Sequence, residues 1–123
     1  MELQVLIVDD NEEFLDAARA LLEREGLSVV GVASTSADAL RRAEQLQPNV
    51  MLVDIMLGDD SGFELARRLV ADGGAGGPAV VLTSTHAQDD FADLIAECPA
   101  AGFLPKCDLS ADAIRRIVER GLR

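Results

Sequence analysis

Four short apolar runs in this chain each end on a residue able to do chemistry. Val5-Leu6-Ile7-Val8 leads to Asp9 and Asp10, Val50-Met51-Leu52-Val53 to Asp54, Val80-Val81-Leu82 to Thr83, and Phe103-Leu104-Pro105 to Lys106. Runs of this kind read as buried parallel strands, and ligands bind at the carboxyl ends of strands in an open α/β sheet. Brought to one sheet edge, these carboxylates, the hydroxyl and the ammonium form a site for a divalent metal and a phosphoryl group. Two carboxylates about 5 Å apart at an effective dielectric near 20 repel by roughly 3 kcal/mol, so several together call for a cation among them. All-oxygen donors with water completing the shell suit Mg²⁺. Asp10 and Asp54 read as direct ligands, with Asp9 beside them, directly or through water. Lys106 offers positive charge to a developing oxyanion, and Thr83 a hydrogen-bonding hydroxyl. Asp54, with a metal beside it and no competing nucleophile, is the natural acceptor, giving an aspartyl phosphate. Any one of these residues alone could be a helix cap or an ordinary loop residue. Their conjunction carries the reading.

The segments between the runs have helical period. Asn11 is placed to cap a first helix with Phe14, Leu15, Ala18, Leu21 and Leu22 on its apolar face and Gly26 at its end. A strand is expected from about Ser28 to Ala33. Ser36 then caps a helix carrying Leu40, Ala43 and Leu46, which Pro48 closes. After Asp54 comes the polar loop Gly58-Asp59-Asp60-Ser61-Gly62, then a helix with Phe63, Ala66, Leu69 and Val70 on one face. A fourth helix shows Phe91, Leu94, Ile95 and Cys98. The fifth starts at Ser110, with Leu109 set to staple against Ile114, and continues through Ile117 and Val118. The expectation is a single domain over 1–123. It is a flavodoxin-like, doubly wound five-stranded parallel sheet of order 2-1-3-4-5, with five helices in three α/β/α layers. That order sets Asp9 and Asp10 against Asp54.

The chain has 22 acidic against 11 basic residues, a formal net charge of -11, which argues against direct nucleic-acid binding by this domain. No apolar stretch has the length of a membrane span, and the first residues lack a basic leader, so the chain reads as soluble and cytoplasmic. Cys98 and Cys107 make no metal or disulfide pattern and read as free thiols. The glycine-rich stretch Gly73-Gly74-Ala75-Gly76-Gly77 follows a helix and precedes a strand, the wrong order for a phosphate loop, and reads as a flexible connection. His86, the lone histidine, and Gln88-Asp89-Asp90 read as solvated, and Phe14, Phe63 and Phe91 as core.

Val8-Asp9-Asp10, Val53-Asp54-Ile55, Leu82-Thr83-Ser84 and Gly102-Phe103-Leu104-Pro105-Lys106 together resemble the receiver domains of two-component response regulators, over nearly the whole chain. The resemblance implies Mg²⁺-dependent transfer of a phosphoryl group from a sensor histidine kinase to Asp54, followed by autodephosphorylation, with no other enzymatic activity. It also implies that the Met56 carbonyl completes the metal site of Asp9, Asp10 and Asp54. Phe103 matches an aromatic switch that follows Thr83 and repacks the face of helix 4, strand 5 and helix 5, with homodimerisation as one output. The Gly102–Lys106 stretch and Ser61-Gly62-Phe63-Glu64-Leu65 are most similar to receivers joined to a helix-turn-helix DNA-binding domain, which implies transcriptional control through an output domain not contained in these residues. Two departures stand out: Cys107 follows the lysine where many receivers have a cis proline, and Leu57-Gly58 replaces a proline after the acceptor. Counting back from Lys106 suits Ser84 as the switch hydroxyl as well as Thr83. Counting forward from Pro78 favours Thr83.

Two other readings compete. A metal-dependent phosphatase with an aspartate nucleophile would place two aspartates one residue apart on its first strand, whereas Asp9 and Asp10 are adjacent. A degenerate receiver that binds partners without phosphate is disfavoured because every reactive residue type is present.

Overall fold

The apolar runs pair as strands of one sheet, and helices cover both faces of its central strands. The computed structural model describes residues 3–57, 60–73, 78–85, 93 and 100–121. Strands β1 (Gln4–Val8), β2 (Ser28–Ala33), β3 (Val50–Asp54), β4 (Ala79–Ser84) and β5 (Gly102–Pro105) form one sheet in the order β2-β1-β3-β4-β5. All four pairings are parallel. This is the expected 2-1-3-4-5 order. Strand β3 is buried along its whole length, as a central strand covered on both faces must be.

Side-chain alternation divides the interior into two layers. Val5, Ile7, Val50, Leu52, Val81 and Leu104 face one way. They meet Leu15, Ala18 and Leu22 of α1 (Glu12–Arg24), and Ala111, Ile114 and Val118 of the last helix, numbered α4 here (Ala111–Gly121). Leu6, Val8, Met51, Val53, Val80 and Leu82 face the other way. They meet α2 (Ser36–Leu46) through Ala39, and α3 (Gly62–Gly73) through Phe63, Leu65, Ala66 and Leu69. The expected α/β/α layers are therefore present. The helix expected between β4 and β5, with Phe91, Leu94, Ile95 and Cys98, lies outside the described residues. So do His86, Gln88-Asp89-Asp90, Gly58-Asp59 and most of the glycine-rich stretch.

Caps fix where the helices begin. Asn11 Oδ1 accepts from the N–H groups of Glu13 and Phe14, and Ser110 Oγ from that of Ala113, both as expected. Gly26, at φ 97°, follows the end of α1 in the left-handed region. The α2 cap is Thr35 rather than Ser36: the Thr35 hydroxyl accepts from the Asp38 N–H at 3.1 Å, which puts Ser36 inside the helix. On the apolar face of α2, Leu40 and Ala43 pack against the core as expected, and two residues depart from expectation. Ala39 is fully buried, whereas Leu46 is 37% exposed because it overhangs the edge strand β2 near Gly31. Met56–Leu57 pairs with Asp60–Ser61 in a short antiparallel ribbon where a plain polar loop was expected. Among the described residues there is no cis peptide bond, so Lys106-Cys107 is trans, and no helix is long and apolar enough to cross a membrane.

Candidate functional site

The carboxyl ends of β1, β3, β4 and β5 deliver the reactive residues to one place. Asp9 follows β1, and its N–H is tied to the Ala33 carbonyl at 3.0 Å. Its side chain is fully buried, with Oδ1 accepting from the Asn11 N–H at 2.9 Å. Asp54 ends β3 and is 6% exposed. Its Oδ1 accepts from the Met56 N–H at 3.2 Å and its Oδ2 from the Lys106 ammonium at 3.3 Å. The same ammonium lies 2.6 Å from Asp9 Oδ2, and the Lys106 side chain is 13% exposed. That contact is close but poorly directed: among the described residues Asp9 Oδ2 has no aligned hydrogen bond, and it is held as an ion pair. Asp10 is exposed, and carboxylate oxygens of Asp9, Asp10 and Asp54 all lie within 4.8 Å of one another.

Sheet register bears on the choice between Thr83 and Ser84. Thr83 stands beside Asp54 across the β3–β4 pair, and the Ile55 N–H donates to the Thr83 carbonyl at 3.0 Å. Counting along β4, Thr83 falls on the same sheet face as Val81, and Asp54 on that of Leu52, so the two side chains share a face. Ser84, equally buried, falls on the opposite face with Leu82. Phe103 is half-buried and packs on that opposite face as well. The Met56 side chain is 55% exposed, while its N–H holds the Asp54 carboxylate.

The cup is electrostatically unbalanced, with three carboxylates against one ammonium. The Asp54 carboxyl is held above the usual carboxylate range. Burial is the main cause and the neighbouring Asp9 charge adds to it, while the Met56 N–H and Lys106 act the other way. For Lys106, burial is the largest single influence and pulls its pKa down. The close Asp9 contact and the attraction of Asp54 and Asp9 together outweigh it and leave the ammonium held above its usual value. Hard oxygen donors, a buried carboxylate oxygen without an aligned hydrogen bond, and an exposed Asp10 open to water form a donor set that fits a hydrated Mg²⁺.

Two residues that matter here were not assigned to the site from sequence. Phe14, expected in the core, is only half-buried, and its ring centre lies 4.3 Å from the Lys106 ammonium. Gly62 opens α3 hard against the acceptor strand. A Cβ there would stand 2.1 Å from the Asp54 carbonyl oxygen and 2.6 Å from Ile55 Cα, and both are backbone atoms. Gly62→Ala must therefore displace the chain beneath Asp54, and a loss of about 1–3 kcal/mol is expected in thermal or urea denaturation. Gly102→Ala is the control: the three atoms nearest its new Cβ, the first at 2.7 Å, belong to the Ile117 side chain rather than to backbone, so the loss should be smaller.

Comparison with known proteins agrees with this architecture. Residues 5–119 match the family model of the response regulator receiver domain. The chain is 32% identical over 105 residues to the response regulator GacA of Pseudomonas aeruginosa, covering 85% of this chain and 48% of GacA. It is 28% identical over 117 residues to the transcriptional regulatory protein LiaR of Bacillus subtilis, covering 92% of this chain and 54% of LiaR. Among solved structures, a LuxR-family two-component response regulator from Aurantimonas sp. superposes with a TM-score of 0.85 at 25% identity, over 97% of this chain and 86% of that one. The chain thus spans about half the length of the curated relatives it matches. With the family match running almost end to end over a sheet of the expected order, the chain belongs to the response regulator receiver domain family.

Proposed function

We propose that this domain accepts a phosphoryl group on Asp54 from the phosphohistidine of a sensor histidine kinase, and catalyses nothing beyond its own phosphorylation and dephosphorylation. The observation that carries the reading is the Asp54 carboxylate, buried at a strand end, with an ammonium 3.3 Å away and two further carboxylates beside it. An Asp54 oxygen attacks phosphorus as the bond to the donor imidazole breaks, and the imidazole leaves with its electron pair and takes up a proton. Lys106 neutralises charge that gathers on the phosphoryl oxygens, and Thr83, in register with Asp54, supplies a hydroxyl to them. Asp9, Asp10, Asp54 and the Met56 carbonyl would hold Mg²⁺, which when bound supplies charge neutralisation and orientation of the phosphoryl oxygens.

The adduct adds about -1.5 to -2 charge and three acceptor oxygens at the sheet edge. Phe103 lies on the opposite sheet face from Leu104, half-buried and able to repack. Its side chain lies across the sheet from that of Thr83, so a shift of Thr83 would reach it through the paired β4 and β5 backbones, and its turning would alter the surface around β5, with homodimerisation or partner docking as the output. The likeness to the longer transcriptional regulatory protein LiaR supports transcriptional control through an output domain, without nucleic-acid contact by this acidic domain itself.

The test is incubation with a small phosphodonor such as acetyl phosphate, with and without Mg²⁺. Expected is a mass gain of one phosphoryl group per chain, dependent on Mg²⁺, labile to base and mapped to Asp54 by borohydride reduction. Steady turnover of the donor without an adduct would favour a phosphatase, and no adduct at all a phosphate-independent binding module.

A further inference from the structure

Lys106 touches one neighbour that carries no charge. Its ammonium sits 2.6 Å from Asp9 and 3.3 Å from Asp54, and 4.3 Å from the centre of the Phe14 ring. Leu15, Ala18 and Leu22 of the same helix are buried in the core, whereas Phe14 is half-buried and packs at the core's rim. Its place is fixed by short-range bonds that begin in the site itself. Asp9 Oδ1 accepts from the Asn11 N–H at 2.9 Å, and Asn11 Oδ1 accepts from the Phe14 N–H at 3.2 Å. The backbone from Asp9 to Phe14 is thereby stapled, which sets the Phe14 Cα beside the acidic cup, and packing against the core completes the placement of the ring.

A lysine stem is long and flexible, and fixing it costs rotamer entropy. The nearer of its two carboxylates is Asp9, not the acceptor. A third attraction is therefore needed to hold the ammonium where Asp54 also reaches it, and the negative face of an aromatic ring supplies one without adding charge to an already anionic cup.

We propose that Phe14 is a positioning residue that acts through Lys106, its ring face holding the ammonium at the Asp54 edge of the cup for phosphoryl transfer. This rests on Asp54 being the acceptor. Phe14→Leu keeps apolar packing but removes the ring face. It should slow phosphorylation by acetyl phosphate at fixed Mg²⁺ by about three- to tenfold, and Phe14→Tyr should restore most of the rate. In the NMR spectrum the Lys106 ε-methylene should carry an upfield ring-current shift in the wild type and in Phe14→Tyr that disappears in Phe14→Leu. In a Lys106→Met background Phe14→Leu should cost nothing further, whereas a purely structural role would lower the rate in both backgrounds. A wild-type rate in Phe14→Leu, a full effect persisting without Lys106, or failure of tyrosine to rescue would each overturn the proposal. A wild type that takes up no phosphate would instead overturn the acceptor assignment, and this role with it.

Discussion

Asp54→Asn is expected to take up no phosphate and yet to be the more stable protein at neutral pH. The first effect follows from loss of the nucleophilic oxygen, since an amide cannot form the acyl phosphate. The second follows from charge. Asp54 is buried among carboxylates all within 4.8 Å, and each close pair repels by about 3 kcal/mol at an effective dielectric of 20 before Lys106 offsets part of it. Burial and Asp9 hold its pKa in the fold above the 3.8 of the free carboxyl. An acid with a raised folded pKa keeps its proton more tightly in the native state, so ionising it costs folding free energy. That cost is absent in strong acid, where both states are protonated, sets in as the pH rises through the 3.8 of the free carboxyl, and is complete above the folded pKa. The gain in Asp54→Asn should thus be about 1–2 kcal/mol at pH 7.5, roughly 3–8 °C in melting temperature, and should vanish on acidification. Mg²⁺ should act in the opposite sense. A tenfold excess over its dissociation constant would stabilise the wild type by about 1.4 kcal/mol, and the variant, lacking one ligand, by less. Paired thermal melts at the two pH values, with and without Mg²⁺, check all of this. A variant no more stable than the wild type at neutral pH would show that Lys106 already balances the cup.

The strand ends could be read from sequence because a buried parallel strand is a continuous apolar run, and the first polar residue after it marks the functional edge. Asp9, Asp54, Thr83 and Lys106 were therefore identifiable, and so was the order that brings them together. Properties that depend on pairing across loops were not. Residue counting left Thr83 and Ser84 open, because a loop can absorb one residue, and the register decides which of them stands beside Asp54. The burial of Asp9 and its pairing with Lys106 depend on β5 arriving from the far end of the chain. Phe14 matched the helical apolar period as well as Leu15 did, and only the position of Lys106 separates a rim residue from a core one. Gly62 stood in the sequence as part of a polar loop and of the Ser61-Gly62-Phe63-Glu64-Leu65 likeness, and neither gave its constraint, which comes from the backbone of Asp54 and Ile55 lying against it.

Lys106→Met should move stability the other way and by more. The lysine is the one cation in contact with two buried carboxylates among the described residues, and its side chain is 13% exposed, so solvent cannot replace it well. Removing one partner of a buried ion pair costs about 3–5 kcal/mol because the remaining charge is left uncompensated, and here Asp9 Oδ2 would lose a counter-charge 2.6 Å away. The pKa of Lys106 is raised above 10.5 in the fold, the Asp9 and Asp54 attractions outweighing burial, so its contribution is fully present below that pH and is lost only in strong alkali. At neutral pH the deficit of the variant should be complete, and it should shrink in acid as the carboxylates protonate. Mg²⁺ should recover much of it by supplying positive charge to the same oxygens, but not the chemistry: loss of the ammonium facing the phosphoryl oxygens should slow transfer by about 10²–10³-fold. Melting curves with and without Mg²⁺, beside phosphorylation rates, measure both. The comparison with Asp54→Asn is the stronger test, because each variant deletes one charge from the same cup. Three carboxylates facing one ammonium leave the site anionic, so deleting a negative charge relieves it and deleting the positive one aggravates it. Opposite signs, with the Asp54→Asn/Lys106→Met double variant lying between them, follow from shared electrostatics. Equal destabilisation by both would mean that the two residues serve packing instead.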